Sequence, residues 1–545
     1  MKKKVLSAVL ALTLMFGSAA ALPKGVVTDT AGITASAADT ILVSGDYKYK
    51  VLSDGAAQIT DYTGKASTLT IPSTLGGKTV TSIGKTAFTM STTLTSVTIP
   101  DSITEIGYGA FTVCSKLTTV NLGSGLSKIG MYAFAQSGLT SISIPASVKQ
   151  IGQYAFDRCK SLKTVTIASG ESATVDNYAF EKCSALTKVD FGSTVSAIGS
   201  FAFQGCTSLT SLTIPESVKS INQRAFAECT KLTNVKLGNG LKTLGVGAFI
   251  LCTGLKNVTF GKSLESIGNS AFEDCTSLTG VTLMPSTKTI GESAFSGCVD
   301  MTSAVLSGAE VIGPKAFSYC IKLTDVAFFE KVRAIGENSF MNCEELVTVN
   351  IPDNAKEIRE HSFGFGYKDG EYKKRVGFTI CGEKNSEAQK YADANGFTFK
   401  DTDSHAHTYK AIVVPNTCTT GGYTLSICKT CGETKTAAET KANGHPDGTY
   451  YRTTAFDTTA KTSTQTGVCT VCGGEVKKTT KNAITRLEDR NRSGTTAAIS
   501  AAEYPSTAST VILANSMNYA DTRQDAPPFS LLPPSFRFAP FQRKQ

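Results

Sequence analysis

One short unit recurs thirteen times in this chain, and that recurrence limits the fold more than any other feature. The copy from Leu209 to Lys231, LTSLTIPESVKSINQRAFAECTK, displays the pattern L-x-x-V/L-x-I-P-x-S-V-x-x-I-x-x-x-A-F-x-x-C. Its marker is the Ala-Phe pair. The phenylalanines are Phe88, Phe111, Phe134, Phe156, Phe180, Phe203, Phe226, Phe249, Phe272, Phe295, Phe317, Phe340 and Phe363. Successive gaps are 22, 23 or 24 residues, and only Phe340 and Phe363 follow serine in place of alanine. A fixed period of this length belongs to solenoids and other arrays.

The hydrophobic period changes within each unit. In LTSLTI, Leu212 and Ile214 alternate with Ser211 and Thr213, the pattern of a half-buried strand. Pro215 ends that strand, because it has no amide hydrogen for the ladder. SVKSI suits a second short extended piece. Ala225, Phe226 and Cys229 have helical spacing, which predicts one or two helical turns. A lone unit cannot bury its apolar positions, whereas stacked units can, with strands pairing at about 4.8 Å per rung. Thirteen rungs make a rod roughly 60 Å long at that spacing.

Ten of the sixteen cysteines occupy one place in this unit. Cys114, Cys159, Cys183, Cys206, Cys229, Cys252, Cys275, Cys298, Cys320 and Cys343 each follow their marker phenylalanine by three residues. Ser91, Ser137 and Gly366 stand there in the other copies. A disulfide framework would not tolerate such single replacements, since each strands a partner. A small buried hydrophobe does. The expectation is a column of buried free thiols, with rung-to-rung disulfides and metal binding as the alternatives.

The core IPxSVxxIGxxAFxxCxxL, as from Ile144 to Leu162, resembles the BspA-type leucine-rich repeats of bacterial surface proteins. The resemblance covers about 66–365 and extends to an end cap, GFTICGEKNSEAQKYADANGFTF, Gly377 to Phe399. In that cap Glu387 to Ala394 are good helix formers and Asn395-Gly396 is a helix stop. The fold expected is an α/β solenoid: a right-handed leucine-rich-repeat rod of about 13 coils, short strands plus short helical turns. The resemblance implies a secreted or surface-attached binding protein without catalysis. Some relatives are adhesins for host matrix proteins, but the family shares no single ligand.

In solenoids the strand ladder is the usual binding surface. Its outward residues include Ser141, Ser143, Thr164, Thr166, Lys188, Asp190, Ser211, Thr213, Asn234 and Lys236. These form a Ser/Thr/Asn-rich face with few charges, though Thr is also simply a good exposed strand former. Tyr108, Tyr132, Tyr154 and Tyr178 sit two or three residues before their marker phenylalanines. They line a different edge, where stacking at the rim of the core is the expected role. The chain has no tryptophan, which weighs against a flat aromatic platform for sugar rings.

The flanks carry different signals. Lys2, Lys3 and Lys4 precede an apolar run, Val5 to Phe16. That run is shorter than the roughly 20 residues of a membrane span and reads as a signal peptide cleaved near Ala37 or Ala38, with an uncleaved anchor as the alternative. No later apolar stretch is long enough to span a bilayer. In 402–480, Cys428 and Cys431 make a C-x2-C knuckle, with Cys418, His407 and His445 nearby. The first reading is structural zinc, with a disulfide or free thiols as alternatives. No other cofactor is required. Cys469 and Cys472 form a poorer second copy.

Within 481–521, Ile484 to Ser500 and Ser509 to Asp521 resemble the first half of a type 2 cell wall-binding repeat, a family whose complete repeats grip anionic wall polymers. Asp489 and Ser493 depart from its pattern. Residues 522–545 are rich in proline and phenylalanine and read as a disordered or frameshifted tail.

The expected order is signal peptide 1–38, lead-in strands 39–65, repeats 66–365, cap 366–401, Cys/His modules 402–480, partial wall anchor 481–521 and tail. This suits an extracellular protein at the wall of a Gram-positive-type bacterium. Its expected partners are host or neighbouring-cell surface proteins or glycans, plus a wall polymer if the anchor works. A structural spacer of the envelope is the alternative. The net charge of +9 is spread thinly, with no basic stripe interleaved with aromatics, so nucleic-acid binding is not expected. No nucleophile elbow, phosphate-cradling loop or His-bearing acid–base pair indicates an enzyme.

Overall fold

The computed structural model describes residues 40–402 and six strands between Tyr409 and Lys481. The signal peptide, His407, Cys418, Cys431, His445, Cys469, Cys472, the partial wall anchor and the tail lie outside the described residues. Cys428 closes the strand Tyr423–Cys428, which pairs antiparallel with Tyr409–Val414 and Thr434–Ala437. Tyr450–Asp457, Thr462–Val468 and Glu475–Lys481 form a separate sheet.

Residues 57–402 wind into a right-handed solenoid built mostly of strands. Each coil has three sides. The first is the strand read from the LTSLTI pattern; it pairs parallel with its counterparts, as in Ser141–Ile144 with Thr164–Ile167 and then Lys188–Asp190. The second is a short strand, two residues long in most coils, ending the SVKSI piece. These pair in one unbroken parallel ladder from Lys78–Ile83 to Glu357–Ile358. Every first-side strand turns alternate residues inward, so Leu212 and Ile214 are buried while Ser211 and Thr213 are exposed.

The third side differs from the expectation of helical turns. The Ala-Phe stretch consists of two successive tight turns. Ala155 donates to the Gly152 carbonyl at 3.1 Å and Cys159 to the Phe156 carbonyl at 3.2 Å. The third residue of each turn, Tyr154 (φ 56°) or Arg158 (φ 52°), is left-handed. A left-handed residue twice per turn pair stops a right-handed helix from propagating. It also directs alternate amides along the rod. Tyr154, Phe156 and Arg158 donate to the Asn177, Ala179 and Glu181 carbonyls of the next coil at 3.2, 2.7 and 2.8 Å. The three- and four-residue spacings read as helical belong to these turns. The Ile-Gly pairs mark a close approach between coils: a Cβ on Gly152 would lie 2.7 Å from the Ile129 carbonyl oxygen.

The thirteen marker phenylalanines form one continuous column through the core. Consecutive ring centroids lie 4.8–5.3 Å apart, with interplanar angles of 1–14°. Beside it runs the thiol column. Each of the ten repeat cysteines points its Sγ at the phenylalanine carbonyl of the preceding coil, at 3.1–3.5 Å. The ten repeat cysteines are buried and form no disulfide, and Cys381 is buried as well. Burial pushes the Cys114 and Cys159 thiols up to about 11 and Cys343 to about 12, which keeps them protonated and able to donate.

Both ends of the core are covered. At the start, Leu42–Ser44, Tyr47–Val51 and Ala57–Tyr62 form an antiparallel meander whose last strand pairs parallel with Lys78–Ile83. At the end, a helix (α1, Glu387–Asn395) connects Thr379–Gly382 to Thr398–Asp401, two parallel strands. Ser386 caps α1 by accepting from the Gln389 amide, and Gly396 (φ 63°) terminates it, as its sequence predicts. The Phe363 amide has no next coil to meet. It donates instead to the Tyr391 hydroxyl at 3.0 Å, and that hydroxyl donates to the Phe363 carbonyl at 3.0 Å.

Candidate functional site

The first side is divided into three-stranded parallel blocks, and within each block the preserved register stands the outward residues in two columns. Ser141, Thr164 and Lys188 are in register, as are Ser143, Thr166 and Asp190. Further along, Ser211, Asn234 and Asn257 share one column, and Thr213, Lys236 and Thr259 the other. The ten sequence-predicted face residues thus fall in two successive blocks of the first side. Eight of them are exposed, while Thr164 and Lys236 are partly buried.

Hydrogen bonding fixes the geometry of this face. Thr233 Oγ1 donates to the Thr210 carbonyl at 2.9 Å, and Thr118, Thr187, Thr279 and Thr302 repeat the contact in other coils. Asn257 Nδ2 donates to Asn234 Oδ1 at 3.0 Å, and Asn234 Nδ2 donates to Thr233 Oγ1 at 2.9 Å. Asp190 Oδ1 accepts from the Gly192 amide at 3.1 Å. The result is a flat, ordered array of hydroxyls, amides and a few charges that can form many directional hydrogen bonds. Past Thr282 the second column turns apolar: Val305 and Ala327 are buried, although their register places them outward. The repeat consensus hid this change, because both residues still fit a strand.

Other parts of the rod do not assemble reactive chemistry. Among the described residues no three His, Cys, Asp or Glu side chains converge on a point that could hold a metal ion. An open depression of about 500 Å3 is lined by Glu310, Glu330, Lys331, Arg333, Asn354 and Lys356, with no thiol or hydroxyl side chain among them. His361 stacks on Tyr372 at 3.8 Å and meets Phe365 edge-on. Among the described residues, Asp157 is the one buried carboxyl with a clearly raised pKa, lifted to about 6 by burial against the opposing pull of Arg158. Its Oδ2 accepts from Arg158 Nη1 at 2.7 Å, while its Oδ1 is buried without a partner. Sequence gave no sign of this environment, since the same place holds Thr112, Ala135, Glu181 and Gln204 in neighbouring coils.

The model of the BspA type Leucine rich repeat region matches residues 61–183, 171–264 and 248–366. The chain belongs to the BspA-type leucine-rich repeat family. Proteins of this family are typically surface-exposed and non-enzymatic. Among solved structures, a leucine-rich repeat protein from Bacteroides ovatus is 27% identical, covering 58% of this chain and 99% of its own, with a TM-score of 0.39. A leucine rich cell surface protein from Faecalibacterium prausnitzii is 24% identical over 67% of this chain and 99% of its own, with a TM-score of 0.36. The T. pallidum leucine rich repeat protein is 28% identical over 40% and 92%, at 0.31. No curated protein gives a match. No described helix is long and apolar enough to cross a membrane.

Proposed function

We propose that this BspA-type protein is a secreted, cell-surface binding protein that engages surface proteins or glycans through its strand-ladder face. The observation that carries the reading is the pair of in-register polar blocks, Ser141 and Ser143 to Lys188 and Asp190, and Ser211 and Thr213 to Asn257 and Thr259. Preformed polar ladders keep their side chains ordered, which lowers the entropic cost of binding. The charges on the face are few, so it favours hydrogen-bonded contacts over electrostatic capture. The signal peptide and wall-anchor readings from the sequence agree with display outside the cell, and zinc in the Cys/His modules would serve folding alone.

The test is a binding screen of the protein against immobilised host matrix proteins, mucins, and plant and bacterial polysaccharides. Saturable binding to at least one supports the reading. Binding to none favours an envelope spacer.

A further inference from the structure

Three residues at the far end of the first side are buried without belonging to the core of the rod. Val305, Ala327 and Cys381 are 4%, 1% and 0% exposed. The core takes up Ala304, Leu306, Val326 and Ile380 beside them but none of the three. Register explains the separation. Val305 stands opposite Ala327, and Cys381 opposite Asn350 in the next block, all at the outward places of their strands. Earlier blocks hold Ser143, Thr166, Asp190 and Thr213 at those places, all exposed. Asn350 Oδ1 is buried too, and no described residue bonds to it. The neighbouring column is also shaded: Ser303, Asp325, Thr348 and Thr379 are half-buried, whereas Ser141, Lys188, Ser211 and Asn234 are exposed.

The cap helix α1 is not the cover. It packs on the opposite face of Thr379–Gly382, where Ile380 joins Ala388, Tyr391 and Ala392 in the core. A Cβ on Gly382, the next residue of that face, would lie 2.8 Å from Ala388 Cβ. Apolar groups and an amide oxygen removed from water on an outward face call for a partner surface that is largely apolar.

The chain supplies one within reach. Its last rod strand, Thr398–Asp401, pairs with Thr379–Gly382 and sets Lys400 opposite Cys381. Residues 402–408 then lead to the sheet of Tyr409–Val414, Tyr423–Cys428 and Thr434–Ala437. Seven extended residues span at most about 25 Å. Cys381 lies one strand back from Thr398–Asp401 and Val305 four strands back, about 19 Å at the rung spacing. The strand of Asp190 is nine back, about 43 Å and out of range. Alternation and register put Ile412, Val414, Leu425 and Ile427 on one face of the sheet. A three-stranded sheet gains its stability by burying such a face.

We infer that the sheet of residues 409–437 docks its apolar face over Val305, Ala327 and Cys381. The short tether holds it at high effective concentration, which favours it over a second copy or a free partner. The polar ladder then stays open only in its earlier blocks. The docking holds whether or not those blocks bind a ligand.

The test uses the full-length protein with one reporter at a time, Val305→Cys in the patch or Thr213→Cys on the open ladder. Each is labelled with a maleimide under native conditions and read peptide by peptide by mass spectrometry. Position 305 should label at least about tenfold more slowly than position 213. Adding Ile412→Asp and Leu425→Asp, which puts charge on the apolar face of the sheet, should bring the two rates together and leave the melting of the rod unchanged. That arm reads the same whether the altered sheet folds or not, since neither form can dock. Equal rates without the added changes would overturn the inference. So would protection of position 305 that survives them, which puts the cover within the rod, or protection that fades on about a hundredfold dilution, which makes the cover a second copy.

Discussion

The phenylalanine column makes a quantitative prediction about how stability is distributed along the rod. Phe226 is fully buried and lies between Phe203, at 5.2 Å and 4°, and Phe249, at 5.3 Å and 8°. Phe226→Leu retains most of the apolar surface but removes both ring pairs, each contributing about 0.5–1.5 kcal/mol beyond burial. A partial cavity adds about 1 kcal/mol. The single change should therefore cost about 2–4 kcal/mol. In a double-mutant cycle with Phe203→Leu, one ring pair is counted twice, so the coupling should be about 0.5–1.5 kcal/mol. A cycle between Phe226→Leu and Phe295→Leu, three coils apart, should show coupling under about 0.5 kcal/mol. Urea unfolding followed by circular dichroism supplies the numbers, since there is no tryptophan to report. Equal coupling for the adjacent and distant pairs would refute the stacked-ring account.

Further predictions follow from single contacts. Cys229→Ala should cost about 1–2 kcal/mol by leaving a small cavity and losing the contact to the Phe203 carbonyl, while Cys229→Ser should cost less, because a hydroxyl can donate there; equal costs in urea unfolding would show that the hydrogen bond contributes nothing. The Asp157 carboxyl is raised to about 6 from 3.8, so its folded form holds the proton more tightly than its unfolded form. Its contribution is fully present below the unfolded value and is lost as pH rises through about 6. Asp157→Asn should therefore flatten a loss of up to about 3 kcal/mol between pH 4 and 7, and a wild-type profile rising over that window through this residue would contradict the assignment. Tyr391→Phe leaves the buried Phe363 amide unpaired, at about 1–3 kcal/mol, and should speed hydrogen exchange in the last coil well before the central coils.

The parts of the fold legible in the sequence are those whose signal lies within one unit. Alternation around Leu212 and Ile214 gave the strands, and the run from Glu387 to Gly396 gave the cap helix and its stop. The turns were not legible, because nothing in the identity of Tyr154, Arg158, Arg224 or Glu228 announces a left-handed backbone. That conformation is imposed by hydrogen bonds to the next coil. The cysteine position was readable as buried, but its acceptor lies in the preceding coil, on another turn of the rod. The candidate face was legible as two polar columns, since register carries the alternation across coils. Its apolar end at Val305 and Ala327 was not, and neither was the partnerless Asp157 Oδ1, whose environment depends on residues from several coils.

The central claim is that binding runs through the strand-ladder face. The direct measurement compares the parent protein with a variant altered at Thr164, Thr166, Lys188 and Asp190, using any partner that binds saturably in the screen. The account predicts an unchanged melting profile and at least about tenfold weaker binding, since several surface hydrogen bonds of about 0.5–1.5 kcal/mol each are lost. Undiminished binding by the folded variant would contradict it.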